Sequence, residues 1–250
     1  MSEGPRDFAA EVGGAHLPFC AMNAAGSVLH AADLRALAFS RTGAVVMRTA
    51  TVHPLVHPEF RSLHNPGFDK LVPLARELVA LGERPVVASI AGGTIEEYLL
   101  LAKAFGDAGV VALEANLADA WVEVTLAPFL DFERLHELAS RLVAASPVPI
   151  WVRLPDQPLP YARVLAALAT AGVRAVGVRN EFSQFEKLLL ERTSGLLDVV
   201  PIGNIASGFD VRRALAKGAR AVQVGPTLGP EGPGIFARLE REMRRARGER

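Results

Sequence analysis

Residues 199–225 read VVPIGNIASGFDVRRALAKGARAVQVG, and the organisation of the whole chain can be worked out from them. The apolar run at 199–202 has the β-branched content of a strand. Ser207 and Asp210 have the spacing of a capping box, which predicts a helix starting just after Ser207. Gly218 stands where that helix must stop, because glycine adopts the left-handed C-cap conformation without a Cβ clash. A second apolar run, 221–224, follows. Neither run alternates apolar with polar residues, as expected of strands covered on both faces. The predicted unit is strand, helix, parallel strand.

The same unit recurs upstream. Further apolar runs lie at 18–22, 44–48, 85–90, 110–114, 148–154 and 174–178, which makes eight strands in 250 residues. Between them, Ile95, Tyr98, Leu99, Ala102 and Phe105 form one helical stripe, as do Phe132, Leu135, Leu138, Ala139 and Leu142. Thr94 and Glu97 have capping-box spacing, and Gly43, Gly109 and Gly172 are further expected left-handed C-caps. Eight strands alternating with helices predict a (β/α)8 TIM barrel, a single domain over 1–250. The alternative is an open doubly wound sheet, but the chain has neither G-x-G-x-x-G nor G-x-x-x-x-G-K-[ST] to support it. The Pro-rich segments 51–66 and 155–160 follow strands two and five, and so fall on the carboxyl rim of a barrel.

Composition excludes other classes. Half the residues are hydrophobic and 22% are charged, which excludes a disordered chain. The 27 Lys+Arg balance the 27 Asp+Glu, so no global field draws in nucleic acid or an anionic membrane, and the expected partner is a small molecule. The amino terminus carries Glu3, Arg6, Asp7 and Glu11 and does not read as a signal peptide. Apolar runs of about seven residues fall far short of a membrane span. The single cysteine, Cys20, lies in strand one and reads as a buried, inert thiol. Together these features predict a cytoplasmic protein. The basic end, Arg244 to Arg250, reads as a solvated helix terminus.

Residues just past the strands should converge on one mouth. These are Asn23, Gly26, Arg48, Thr49, Ser89, Asn116, Asp119, Arg153, Asn180, Gly203, Asn204, Gly225 and Thr227. Four asparagines and two arginines in that register make a polar, cationic rim suited to a planar or phosphorylated anion. The glycines after strands seven and eight would let backbone N–H groups approach a phosphate. His53 and His57 each precede proline and read as a rim loop, so no metal site is expected. His64 reads as a solvated loop residue, and no Ser–His–Asp arrangement is evident.

With these residues in view, the chain resembles the dihydroorotate dehydrogenase family, in particular its soluble branch. The resemblance runs in order through 19–26 (FCAMNAAG), 43–51 (GAVVMRTAT), 65–69 (NPGFD), 89–92 (SIAG) and 114–117 (EANL). It continues through 150–155 (IWVRLP), 202–210 (IGNIASGFD), 218–225 (GARAVQVG) and 231–236 (EGPGIF). It implies an FMN barrel that oxidises dihydroorotate to orotate in pyrimidine synthesis, dimeric and passing electrons to fumarate. It further implies that Ala25, Gly26, Arg48, Arg153, Asn180, Gly203, Asn204, Gly225, Pro226 and Thr227 meet the cofactor, that Asn65 and Asn116 hold substrate, and that Asp119, Arg48 and Arg153 are catalytic.

The departures are specific. Arg48 and Arg153 stand where the family has lysines, and the larger guanidinium fork is not a neutral exchange. Asp119 stands at the position of the Cys or Ser base, and a carboxylate is a weak base unless desolvated. Trp121 replaces a substrate-binding asparagine, and Pro226 removes one N–H from the phosphate turn. Two alternatives therefore stand beside the flavin reading: a barrel that lost FMN and acts as a lyase or isomerase on a phosphorylated or carboxylated substrate, and a non-catalytic partner subunit.

Overall fold

A computed structural model describes residues 8–56, 65–118, 131–155, 159–179 and 197–246. The chain begins with a hairpin of β1 (Ala10–Val12) and β2 (Ala15–Leu17). Then follow β3 (Ala21–Asn23), α1 (Ala31–Ala38), β4 (Val45–Val46), α2 (Phe68–Leu81), β5 (Val86–Ile90) and α3 (Ile95–Gly106). Next come β6 (Ala112–Asn116), α4 (Phe132–Ala145), β7 (Ile150–Arg153), α5 (Tyr161–Thr170) and β8 (Ala175–Arg179). The last elements are β9 (Asp198–Gly203), α6 (Gly208–Ala216), β10 (Val222–Val224), α7 (Leu228–Glu231) and α8 (Gly234–Arg245).

Strands β3 to β10 form one parallel sheet in the order β3-β10-β9-β8-β7-β6-β5-β4. This is a nearly closed TIM barrel, as the repeated unit predicts. The last gap, between β3 and β4, is bridged by the Gly43 N–H, which donates to Ala21 O at 2.7 Å, and by the Asn23 side chain. The Asn23 Nδ2 group donates to Val46 O at 2.6 Å, while its Oδ1 accepts from the Val46 N–H at 2.9 Å. Its amide thus stands in for a peptide unit of a missing ladder. Asn23 is fully buried and belongs to the barrel wall, not to the polar mouth expected from its position.

The strands are buried on both sides by two different sets of residues. One set, including Val45, Val86, Ala88, Leu113, Ala115, Val152, Val176 and Val199, packs under the helices with Leu34, Leu78, Tyr98 and Leu138. The alternate set faces inward: Met22, Val46, Val87, Ala112, Trp151, Ala175 and Val200. This alternation explains why the runs read as continuously apolar.

The hairpin of β1 and β2 has no counterpart in the sequence reading. Its Val12, Ala15 and Leu17 join the inward set beside Ala44, Ala112, Ala175 and Ala221, which lie at the amino ends of strands. Small residues there leave room for the hairpin to close that end. Burying Val12 and Leu17 contributes about 3–6 kcal/mol. The Gly13–Gly14 turn has φ of +52° and +88°, and the Gly13 N–H donates to Asp198 Oδ2 at 2.7 Å. A Cβ at Gly13 would lie 2.5 Å from Trp151 Nε1, so the turn needs glycine for space as well as conformation.

The expected C-caps Gly109, Gly172 and Gly218 have φ of +88°, +89° and +102°. Gly43 departs from that reading and does not take a positive φ. A Cβ there would lie 1.8 Å from Phe19 O, so this residue is glycine because another backbone segment passes against it. Arg244, expected to be solvated, instead packs over the Phe8 ring and donates to Glu240. Cys20 is buried, as read. No helix among the described residues is long and apolar enough to cross a membrane.

Candidate functional site

The carboxyl ends of β7 to β10, with the loop after β3, enclose a cavity of about 380 Å³. That volume falls in the range of small-molecule sites. Arg153 ends β7, Arg179 ends β8 and Gly203 ends β9, while Gly225 directly follows β10. Ala24, Ala25, Gly26 and Ser27, in the loop after β3, complete the lining. The space exists because the strand ends carry little side-chain bulk. A Cβ on Gly225 would lie 3.1 Å from Gly203 Cα, so these two strand ends approach backbone to backbone. Cβ atoms built at Gly26, Gly203 and Gly229 meet nothing within 4 Å, so their bare faces front open space.

Seven of the ten expected cofactor residues line this one cavity: Ala25, Gly26, Arg153, Gly203, Asn204, Gly225 and Pro226. Thr227 is not among the lining residues and stands at the N-cap of α7. Arg48 follows β4, outside the cavity lining, and its Nη1 donates to Leu29 O at 3.4 Å. Asn180, Asp119 and Trp121 lie outside the described residues, as do His57 and His64. Sequence reading missed Arg179, because it ended that strand at Val178 and so passed over the last residue of β8.

Asn65 and Asn116 belong to a separate, buried polar cluster. The Asn116 Nδ2 group donates to Thr49 Oγ1 at 2.8 Å, and Thr49 Oγ1 lies 3.0 Å from Ser89 Oγ. The Asn65 Nδ2 group donates to Thr49 O at 2.6 Å. Both carbonyl ends are also engaged: Asn116 Oδ1 accepts from the Ala118 N–H and Asn65 Oδ1 from the Gly67 N–H, each at 2.9 Å. The cluster ties the ends of β5 and β6 to the loop after β4. Two residues below Asn116, buried Glu114 accepts a 2.7 Å hydrogen bond from buried Gln223 of β10. A polar contact spanning the barrel interior leaves no period or motif by which it could be read.

Several backbone donors around the glycine cup are taken up within the turn itself. The Ile205 and Gly225 N–H groups both donate to Gly203 O, that of Leu228 to Gly225 O and that of Gly229 to Pro226 O. Pro226 has none. The start of α6 is likewise filled by the protein's own carboxylates. Ser207 and Asp210 make the predicted capping box, with Asp210 Oδ2 accepting from the Ser207 and Ala206 N–H groups. Glu242 Oε2 accepts from the Gly208 N–H at 2.7 Å and pairs with Arg238. Burial would raise the Glu242 carboxyl, but the Gly208 N–H and the charges of Arg238 and Arg241 hold it below the ordinary carboxylate range. At Glu240, burial is likewise outweighed by the hydrogen bonds and charges of Arg41 and Arg244. Among the described residues no group of three His, Cys, Asp or Glu is arranged to hold a metal ion.

No family model matches the chain. It is similar to the dihydroorotate dehydrogenase B (NAD(+)) catalytic subunit of Bacillus cereus, 26% identical over 193 aligned positions covering 65% of this chain. That match spans 62% of the length of the Bacillus protein. It is also similar to the dihydroorotate dehydrogenase (fumarate) of Trypanosoma cruzi, 27% identical over 89% of this chain and 87% of that one. Among solved structures, the ligand-free dihydroorotate dehydrogenase of Eimeria tenella superposes with a TM-score of 0.81 at 13% identity, covering 100% of this chain and 91% of that one. The chain therefore resembles dihydroorotate dehydrogenases as a divergent relative, and the superposition shows the shared barrel.

Proposed function

We propose that this protein is an FMN-dependent oxidoreductase acting on a CH–CH bond, with dihydroorotate as its substrate. One observation carries the reading: seven of the ten residues assigned to the flavin by resemblance line a single cavity at the carboxyl rim. The residues present fit such a group. The bare faces of Gly26, Gly203 and Gly229 front open space, which lets a large ring system and its side chain pack against backbone. No acidic side chain lines the cavity among the described residues, and its two arginines suit a phosphate-bearing ligand.

FMN, when bound, supplies the hydride acceptor. The chain supplies the rest. Arg153 places a permanent positive charge at the end of β7, where negative charge on the ligand is stabilised. Asn65 and Asn116 are held by Thr49 with their carbonyl ends already engaged, so in this reading each offers a substrate the second N–H of its Nδ2 group. The Ala118 N–H is bonded to Asn116 Oδ1 just past the end of β6. Asp119, next in sequence, takes the substrate proton on its carboxylate in this reading. A homodimer in the cytoplasm, passing electrons to fumarate, is the accompanying expectation from the resemblance.

The test is an absorption spectrum of freshly purified protein, followed by mass spectrometry of what it releases on denaturation. Flavin bands and FMN at about one equivalent are expected, with flavin bleaching on addition of dihydroorotate. A colourless protein that takes up no added FMN would overturn the flavin assignment. Bound FMN without bleaching would overturn the substrate assignment alone.

A further inference from the structure

We propose that Glu114 and Gln223 are positioning residues for the site above them: their hydrogen bond across the barrel interior sets the spacing between the strand end that carries Asn116 and the one that carries Gly225. The proposal rests on the flavin reading for what those two ends hold, Asn116 the substrate and Gly225 the cofactor. Glu114 stands two residues before Asn116 in β6, and Gln223 of β10 stands two residues before Gly225, which lines the cavity. Residues two apart on a strand share a face, so the pair lies one layer, about 6.6 Å, nearer the amino end. Strands β9, β8 and β7 stand between β10 and β6 in the sheet, so no backbone ladder joins those two strands directly. The side-chain pair is the direct link, with Gln223 Nε2 donating to Glu114 Oε2 at 2.7 Å.

The surroundings argue that this bond is there for geometry. Glu114 is 2% exposed and Gln223 1%. In register with them stand Trp151 beside Glu114, and Met22 and Ile202 beside Gln223, all buried. Ser89, in register with Glu114 on β5, has its hydroxyl engaged with Thr49. Two apolar side chains of the same size would fill such a space at little loss of stability, and often with a gain. What they would lack is direction: an apolar contact tolerates sliding, whereas a hydrogen bond fixes distance and orientation together. The pair also has room for one more donor. Among the described residues, Glu114 Oε1 and Gln223 Oε1 are buried without a hydrogen-bond partner, and both are acceptors. An amide at position 114 keeps the acceptor for Gln223 and adds N–H groups that Gln223 Oε1 can accept from, so the link survives loss of the carboxylate.

The test uses the full chain carrying FMN and reads three quantities: the rate of flavin bleaching at saturating dihydroorotate, the affinity for FMN, and the midpoint of urea denaturation. Glu114→Met/Gln223→Met removes both polar groups together at nearly constant volume, so neither partner is left unmatched. Its bleaching rate should fall about 10- to 100-fold, the range for reacting groups displaced by up to about 1 Å, while FMN affinity and the urea midpoint stay near wild type. Glu114→Gln should keep a rate close to wild type. A double variant that bleaches at the wild-type rate overturns the proposal. So does an equal loss in Glu114→Gln, or a slower rate matched by losses of stability and FMN affinity, the mark of a merely structural pair. The exchanged pair Glu114→Gln/Gln223→Glu rebuilds the bond in reverse and should recover the rate lost in Gln223→Glu; without recovery the link fails, even if the methionine variant does not fold. If wild type takes up no flavin, or holds it without bleaching, the flavin reading fails by itself and crystal structures test the positioning. The Asn116–Gly225 Cα separation should then differ between wild type and the methionine variant and return to the wild-type value in Glu114→Gln. One separation shared by all three overturns the proposal.

Discussion

At the amino end of the barrel, Val12, Ala15 and Leu17 of the hairpin fill the space between the strands, packed against Trp151 and a set of alanines. At the carboxyl end, β7 to β10 and the loop after β3 leave a cavity bordered by glycine and two arginines. Both ends are made roomy by small residues, alanine at one and glycine at the other. They differ in what the chain can put into that room. Apolar side chains enter an apolar space with a gain of about 0.8 kcal/mol per buried methylene. The chain has no comparable gain from covering guanidinium groups, which lose hydration unless an anion replaces it. One end is therefore closed by the protein's own chain, and the other keeps a cavity bordered by polar groups.

The contrast can be broken most forcefully at the closed end. Trp151→Ala should cost about 3–5 kcal/mol in urea denaturation, as expected for emptying a packed aromatic site. The folded fraction should keep its ligand affinity, and a Trp151→Ala protein of wild-type stability would show that the hairpin end carries little of the fold's stability. Asn23→Leu comes next. It leaves the buried N–H and C=O of Val46 unmatched at the β3–β4 seam, for a loss of about 2–4 kcal/mol in the same measurement. A smaller effect on stability than on ligand affinity would return Asn23 to the mouth.

The smallest effect concerns the filled start of α6, the counterpart of the open cup beside it. Glu242→Gln should cost about 1 kcal/mol at neutral pH, since its carboxylate is partly solvated. The sign with pH follows from a folded-state pKa below the ordinary carboxylate value. The contribution is complete above the unfolded value and disappears as pH falls through the lowered one. Denaturation curves of wild type and Glu242→Gln should therefore converge in acid, and a constant gap across pH would show that charge is not the cause.

The strands and helices were legible because local pattern suffices for them. Continuous apolar runs, three-and-four spacing and the Ser207–Asp210 box each depend on residues near one another in sequence. Glycines divided by mechanism. Gly109, Gly172 and Gly218 answer to their own helices and were readable as C-caps, whereas Gly43 answers to Phe19, twenty-four residues away. The hairpin was not legible, because three-residue strands around a Gly–Gly turn show no period and are stabilised by distant partners. Arg179 was one residue beyond a boundary, and boundaries are where local pattern is weakest.

The order of apolar runs and glycines along the chain was enough to determine a parallel barrel with its glycine-rich and cationic residues at one rim. Which of those polar residues became wall and which became cavity was settled only by packing in three dimensions. Asn23 and Asn116 look alike in sequence, each at the end of a strand, yet one amide completes the β3–β4 seam and the other joins the Thr49 cluster at the rim. A side chain's hydrogen bonds depend on which backbone groups the closed barrel leaves without partners, and those groups are set by segments far apart in the chain.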